Sequence, residues 1–189
     1  MNILDVHTTE TAPAPATEML GEIERAYGFI PNLYGVFAES PAALRAYMIL
    51  GKIFDESSFS VTERQLIILA ASRFNECRYC IAAHTVVAGM QKVPTDVVEA
   101  IREDRPISDS RLQALRAFTT AVVEKRGWVS DEDVSTFVAA GYSKAQILEV
   151  ILGVSFKTLS NYTNHIANTP LDDEFTQKAW APVTRRIAS

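Results

Sequence analysis

Cysteine is nearly missing from this 189-residue chain: there are two, alongside three histidines and two tryptophans. One possible pair is no disulfide framework, so stability must come from a core, and the 48% hydrophobic content supplies one. A basic excess is missing as well. Lys and Arg number 18 against 23 Asp and Glu, a net charge of −5, so no basic stripe is offered and nucleic acid is not expected as a partner. Long apolar runs are also lacking. The greasiest stretch, AQILEVILGVSF, carries Glu149 and is about a dozen residues long, where a bilayer needs about 20, so no membrane partner is expected. The opening MNILDVHTTETAPAPATE has neither a basic start nor an apolar centre. No secretory signal is therefore expected, and the reducing cytoplasm is the default location. No alternating pattern of useful length marks a strand.

What remains reads as one helix after another. The Pro-, Thr- and Ala-rich residues 1–16 suggest a flexible N-terminal arm, and 17–189 a single helical domain. EMLGEIERAYGF has helical apolar spacing and stops at Gly28 and Pro31, NLYGVFAES is a connector, and Pro41 opens the next helix. Ser60 with Glu63, and Ser143 with Gln146, stand at capping-box spacing. Leu66 to Ala71 is apolar all round, the mark of a buried helix. Asn75 is placed to cap a helix from about Cys77 to Gln91, Pro94 starts a short one, and Ser108 caps a long one. Ser130 and Asp133 open another, and Pro170 ends the last long helix. The fold class expected is all-α, a multi-helix orthogonal bundle.

Both cysteines fall within eight positions of a histidine, as Cys77-x-x-Cys80-x-x-x-His84 in NECRYCIAAHT. A helix advances about 100° per residue, so the three share an arc of about 60°. Both thiols then lie in the first helical turn, where unsatisfied N–H groups favour thiolate over thiol. A thiolate is a nucleophile, an imidazole can exchange its proton, and a second thiol can capture an oxidised sulfur as a disulfide. A structural zinc site wants four ligands; His165 or His7 would have to arrive from elsewhere, so no metal is expected. Covalent haem needs histidine directly after the second cysteine, where Ile81 stands, and a thioredoxin-type site needs a βαβ setting. A passive pair of buried cysteines is the bland alternative.

The stretch SRFNECRYCIAAHT resembles the redox motif of the AhpD-like alkyl hydroperoxidases, within the carboxymuconolactone decarboxylase-like family. The lead-in FSVTERQLIILAAS, the earlier YGFIPNLYGVFAESP and the later GYSKAQILEVILGVSFKTLSNYTNHIANTPLDDEF resemble its peroxidase-related branch, over roughly residues 18 to 176. The resemblance implies an AhpD-like helical domain that assembles as a homo-oligomer, a trimer or hexamer. It implies that Cys80 attacks a peroxide, that Cys77 resolves the sulfenic acid into a Cys77–Cys80 disulfide, and that His84 belongs to the proton relay. It implies a peroxide substrate and an external dithiol or disulfide reductant, with no cofactor.

One departure stands out. The family relay usually has a glutamate twelve positions before the first motif cysteine, and here that position is Gln65. Glu63 faces about 200° away and is explained by its capping box. Glu149, interrupting an apolar helix, is the other candidate for the relay. Tyr79 matches the motif, and both a packing and a catalytic role are open to it; Trp128 and Trp180, near helix ends, are expected to pack. Two further readings remain: a disulfide reductase or redox sensor using the same pair, and a non-redox decarboxylase-like lyase, for which Arg73 and Arg78 are the nearest candidate clamp. The apolar stretches around 44–54 and 145–156 exceed the needs of one core and point to subunit contacts.

Overall fold

The capping signals open real helices. In the computed structural model, which describes residues 3–182, Ser60, Ser130 and Ser143 each accept the N–H three residues on, while Glu63, Asp133 and Gln146 reach back. All regular structure among the described residues is helical: α1 (Ala14–Tyr27), α2 (Asn32–Phe37), α3 (Pro41–Asp55), α4 (Val61–Phe74), α5 (Arg78–Met90), α6 (Thr95–Arg102), α7 (Ser110–Glu124), α8 (Asp131–Ala139) and α9 (Lys144–Ala167), then a 3-10 helix at Asp173–Lys178. The connector expected over NLYGVFAES is therefore partly helical: Leu33, Val36 and Phe37 are buried, and that burial offsets the shortness of the turn.

α4 lies at the centre, packed by α5, α6, α7 and α9. Every residue from Gln65 to Ser72 is buried, as its unbroken apolar run requires. α9 approaches closely because Gly153 has no side chain. A Cβ there would meet Phe54 Cε2 at 2.7 Å and Ile67 Cγ2 at 2.8 Å, inside van der Waals contact. Among the described residues no single helix is long and apolar enough to cross a membrane.

Two expected caps are replaced. Asn75 does not cap α5: it closes α4 and donates through Nδ2 to Asn161 Oδ1 at 2.9 Å. Asp109, one residue beyond Ser108, caps α7 by accepting the N–H groups of Arg111 and Leu112. A carboxylate at that position also meets the positive end of the helix dipole.

Of the stretch read as an arm, residues 3–13 run against α2 and Ala14 already opens α1. His7 donates its N–H to the Gly35 carbonyl at 3.1 Å, and its ring meets Glu39 at 2.7 Å. A Cβ at Gly35 would sit 2.7 Å from the His7 carbonyl, so this crossing needs glycine. Residues 1–2 and 183–189, at the two ends of the stretches read as arm and domain, lie outside the described residues.

Candidate active site at the cysteine pair

The turn between α4 and α5 sets the site. Glu76 takes a left-handed conformation (φ 55), its N–H bonds the Arg73 carbonyl at 3.1 Å, and the Cys77 N–H bonds the Ser72 carbonyl at 2.9 Å. This Schellman arrangement ends α4 and starts α5 within three residues. Cys77 becomes the N-cap of α5 without a side-chain cap bond, and Cys80 falls in the first turn, as the sequence requires. Both are thiols, each 1% exposed and not bonded to one another.

One face of α9 meets them. Lys157, Ser160, Asn161 and Asn164 recur at helical spacing and are all buried. Asn164 Nδ2 donates to Cys80 Sγ at 3.3 Å and to Cys77 Sγ at 3.7 Å, and Ser160 Oγ lies 3.8 Å from Cys80 Sγ. Asn161 Nδ2 donates to Ser72 Oγ at 3.3 Å, which ties this face to α4.

The two thiols are driven apart. Burial pushes Cys80 up, but its hydrogen bond with Cys77, the neighbouring Lys157 charge and the Ser160 and Asn161 contacts outweigh burial and bring it down to about 5. Cys77 is pushed up, first by that same hydrogen bond and then by burial. One sulfur is thus prepared as thiolate and the other held as thiol.

His84 bonds neither sulfur. Its Nδ1 lies 3.3 Å from Gln65 Oε1 and its Nε2 lies 2.9 Å from Lys157 Nζ. An ammonium can only donate, so Nε2 holds the lone pair and Nδ1 carries the hydrogen. Nδ1–H then donates to Gln65 Oε1, and Gln65 Nε2 donates on to Gln91 Oε1 at 3.0 Å. The polarity of the whole chain follows from the lysine. Burial, followed by repulsion from Lys157, holds the imidazole pKa well below its ordinary value, so His84 is neutral at neutral pH.

Gln65, Cys80, His84 and Lys157 all line one cavity of about 900 Å³. Its other walls include Tyr34, Tyr47, Phe54, Phe156 and Phe175. Tyr47 stacks between Phe37 and Phe156, with ring centroids 4.7 Å apart on each side. The result is an apolar, aromatic chamber with a small polar patch, the usual build of a small-molecule site.

The remaining sequence candidates fall elsewhere. Glu149 accepts from the Ser58 N–H at 3.1 Å and from Ser58 Oγ at 2.6 Å. It holds the loop before α4 and does not line the cavity. Tyr79 is buried: its hydroxyl donates to Asp172 Oδ2 at 2.5 Å and accepts the Leu33 N–H at 3.3 Å. Trp180 packs against the core and donates Nε1–H to the Arg102 carbonyl at 3.1 Å, under the Arg73 guanidinium. Trp128 is 88% exposed and anchors nothing. His165 is exposed. Among the described residues no three His, Cys, Asp or Glu side chains gather where they could hold a metal ion. Lys157 is the residue that sequence reading missed. Its signal was a lysine directly after the apolar stretch AQILEVILGVSF, on the face that continues to Ser160 and Asn164.

Residues 41–121 match the carboxymuconolactone decarboxylase family, from the start of α3 into α7. No curated protein matches the chain. Among solved structures, the AhpD core of an uncharacterized peroxidase-related protein from Ralstonia eutropha superposes with a TM-score of 0.79 at 22% identity, covering 90% of this chain and 92% of that one. A peroxidase-related protein from Silicibacter sp. gives 0.77 at 18%, covering 92% of both chains. The debrominase Bmp8 in complex with 2,3,4-tribromopyrrole gives 0.78 at 16%, covering 94% and 95%. At these identities the likeness is one of fold, and the all-α, AhpD-like architecture expected from the sequence holds.

Proposed function

We propose that this chain, whose residues 41–121 match the carboxymuconolactone decarboxylase family, is a thiol-dependent peroxidase-like oxidoreductase. The observation that carries the reading is the asymmetry of the cysteines: Cys80 lines the cavity and is held near pKa 5, while Cys77, one turn away, stays protonated. Cys80 thiolate attacks the peroxide O–O bond, leaving a sulfenic acid and an alcohol or water. Cys77 then displaces the sulfenic oxygen as water and closes the disulfide. An external dithiol returns both sulfurs to the reduced state. No cofactor enters this cycle. Ile49, Ile53, Leu148, Ile151, Tyr162 and Ile166 leave apolar side chains exposed on α3 and α9. They support self-association, the homo-oligomer of the same proposal.

The test mixes reduced protein with a small excess of cumene hydroperoxide and counts thiols by mass spectrometry. Two thiols vanish together as an intramolecular disulfide in the wild type. Cys80→Ser blocks the loss, and Cys77→Ser diverts it to over-oxidation. Reaction no faster than that of free cysteine overturns the proposal.

The chamber favours a second reading, because about 900 Å³ walled by aromatic rings is far more than an O–O group occupies. A thiolate and a resolving thiol supply the two electrons that replace a ring C–Br bond by C–H, releasing bromide as the disulfide forms. The debrominase Bmp8, similar in fold, is in complex with 2,3,4-tribromopyrrole. Release of one bromide from a brominated pyrrole for every two thiols lost selects this reading over peroxide reduction.

A further inference from the structure

Lys157 presents a problem of charge. It is fully buried within α9, with Phe156 beside it and its Nζ 5.0 Å from that ring's centroid. A buried ammonium is strongly disfavoured unless an anion balances it. Among the described residues no carboxylate pairs with it, and its hydrogen bond goes to a neutral imidazole. Gln65 and Gln91, further along the same chain, carry no charge either.

The anion is one turn away. Ser160 and Asn164, three and seven residues after Lys157 on the same face of α9, both contact Cys80. On α5, His84 stands one turn beyond Cys80 and meets Lys157. The seam between α5 and α9 therefore pairs Cys80 with Ser160 and, one turn along, His84 with Lys157. We propose that Lys157 is the counter-charge of the Cys80 thiolate and the proton donor to the departing oxygen, in a site where Gln65 replaces the relay carboxylate. This inference rests on Cys80 being the nucleophile. The lysine charge is among the causes that hold the Cys80 thiol low against its burial. It also gives Gln65 a reason: a carboxylate there would draw the Lys157 charge through His84 and leave the thiolate without a partner.

The proton count closes. Cys80–S⁻ attacks ROOH, the O–O bond breaks, and the alkoxide takes a proton from Lys157, giving Cys80–SOH, ROH and a neutral amine. Cys77–SH attacks the Cys80 sulfur, the S–O bond breaks, and the thiol proton leaves with the hydroxide as water, relayed by the amine. An external dithiol supplies two electrons and two protons, restoring Cys77–SH, Cys80–S⁻ and the Lys157 ammonium. Lys157 is thus charged only while the thiolate is there to balance it.

The other titratable groups around the pair are Cys77, Tyr79 and His84 from α5, Tyr27 from α1, Tyr34 from α2, and Tyr47 from α3. Lys52, Asp55 and Glu174, all exposed, also line the cavity. Their contributions are common to the wild type and the Lys157 variants.

The experiment reads the Cys80 thiol directly, without peroxide. Iodoacetamide alkylation is followed against pH, and because Arg78 lies between the cysteines, trypsin places them on separate peptides. The wild-type midpoint is expected near 5. Lys157→Met, similar in length and uncharged, raises it by roughly two units or more, and Lys157→Arg restores part of the shift. Peroxide turnover at pH 7 falls about a hundredfold in Lys157→Met, consistent with losing both thiolate and acid. An unmoved midpoint in Lys157→Met overturns the inference and leaves Cys80 as nucleophile. A low, Lys157-dependent midpoint without peroxide consumption supports the ion pair and defeats the peroxidase reading instead.

Discussion

Glu63 and Gln65 stand two residues apart on α4 and face opposite sides of it, and each anchors a buried polar site. On the Glu63 side the charge is fully met. The carboxylate accepts from the Ser60 N–H and hydroxyl at 2.8 Å and from the Arg111 guanidinium, which lies over the Tyr142 ring. On the Gln65 side the helix offers a neutral amide, the charge sits on Lys157, and the group that balances it is the reactive sulfur. A buried charge with fixed partners holds a structure together. One whose partner is consumed in each turnover can do chemistry.

Emptying the reactive side has the largest expected effect. Cys80→Ser should drop peroxide turnover to background while the chain still folds, checked by rates beside far-UV circular dichroism. Copying Glu63's charge onto the other face comes next. Gln65→Glu should lower turnover roughly tenfold and raise the alkylation midpoint of Cys80, since the new carboxylate competes for Lys157. A rate increase would show instead that a carboxylate relay is what the site needs. The mirror change, Glu63→Ala, should cost about 1–2 kcal/mol of stability through the lost cap and ion pair, an estimate kept low because the Arg111 side chain is 46% exposed. Urea titration reads that loss, and turnover should change less than about twofold, or roughly 0.4 kcal/mol.

The two sides also separate by pH. The Cys80 thiol is depressed in the fold, so its contribution is full above the unfolded value of about 8.5 and is lost as pH falls toward 5. Reduced wild type minus Cys80→Ser should therefore show a stability difference that grows from pH 5 to 8.5. Burial opposes ionisation of Glu63, but the Ser60 donors and Arg111 win and its carboxyl is lowered. Its contribution is present above about 4.3 and is lost as pH falls below that through the lowered folded value, so wild type and Glu63→Gln should converge in acid. His84 is depressed too and weakens the fold below about 6.5, which cancels in the Glu63 difference.

The smallest effect lies at the far end of α4. Glu76 holds φ 55 without being glycine. Glu76→Gly should gain a few tenths to about 1 kcal/mol in thermal unfolding and leave the cysteines in place.

The Glu63 side was legible in the sequence because its signal is local: a serine and a glutamate three apart announce their own hydrogen bonds. The cysteines and His84 were legible on the same ground, since their spacing on one helix fixes their common face. Lys157 was not, because its meaning depends on α9 packing against α5, 73 residues away in sequence. Glu149 misled for a related reason. A carboxylate in an apolar helix needs a partner, but the sequence did not reveal that Ser58, in a neighbouring loop, supplies it. Trp128 likewise shows that an aromatic residue at a helix end need not be an anchor.

The two tryptophans give the molecule optical reporters of opposite character. Trp128 stands in water, where indole emission is red-shifted and open to collisional quenchers such as iodide. Trp180 is partly sheltered beneath Arg73, just after the 3-10 helix whose Phe175 forms part of the chamber wall. Replacing Trp128 by phenylalanine leaves a single tryptophan that follows that wall, so ligand arrival in the chamber becomes visible as a change in indole emission.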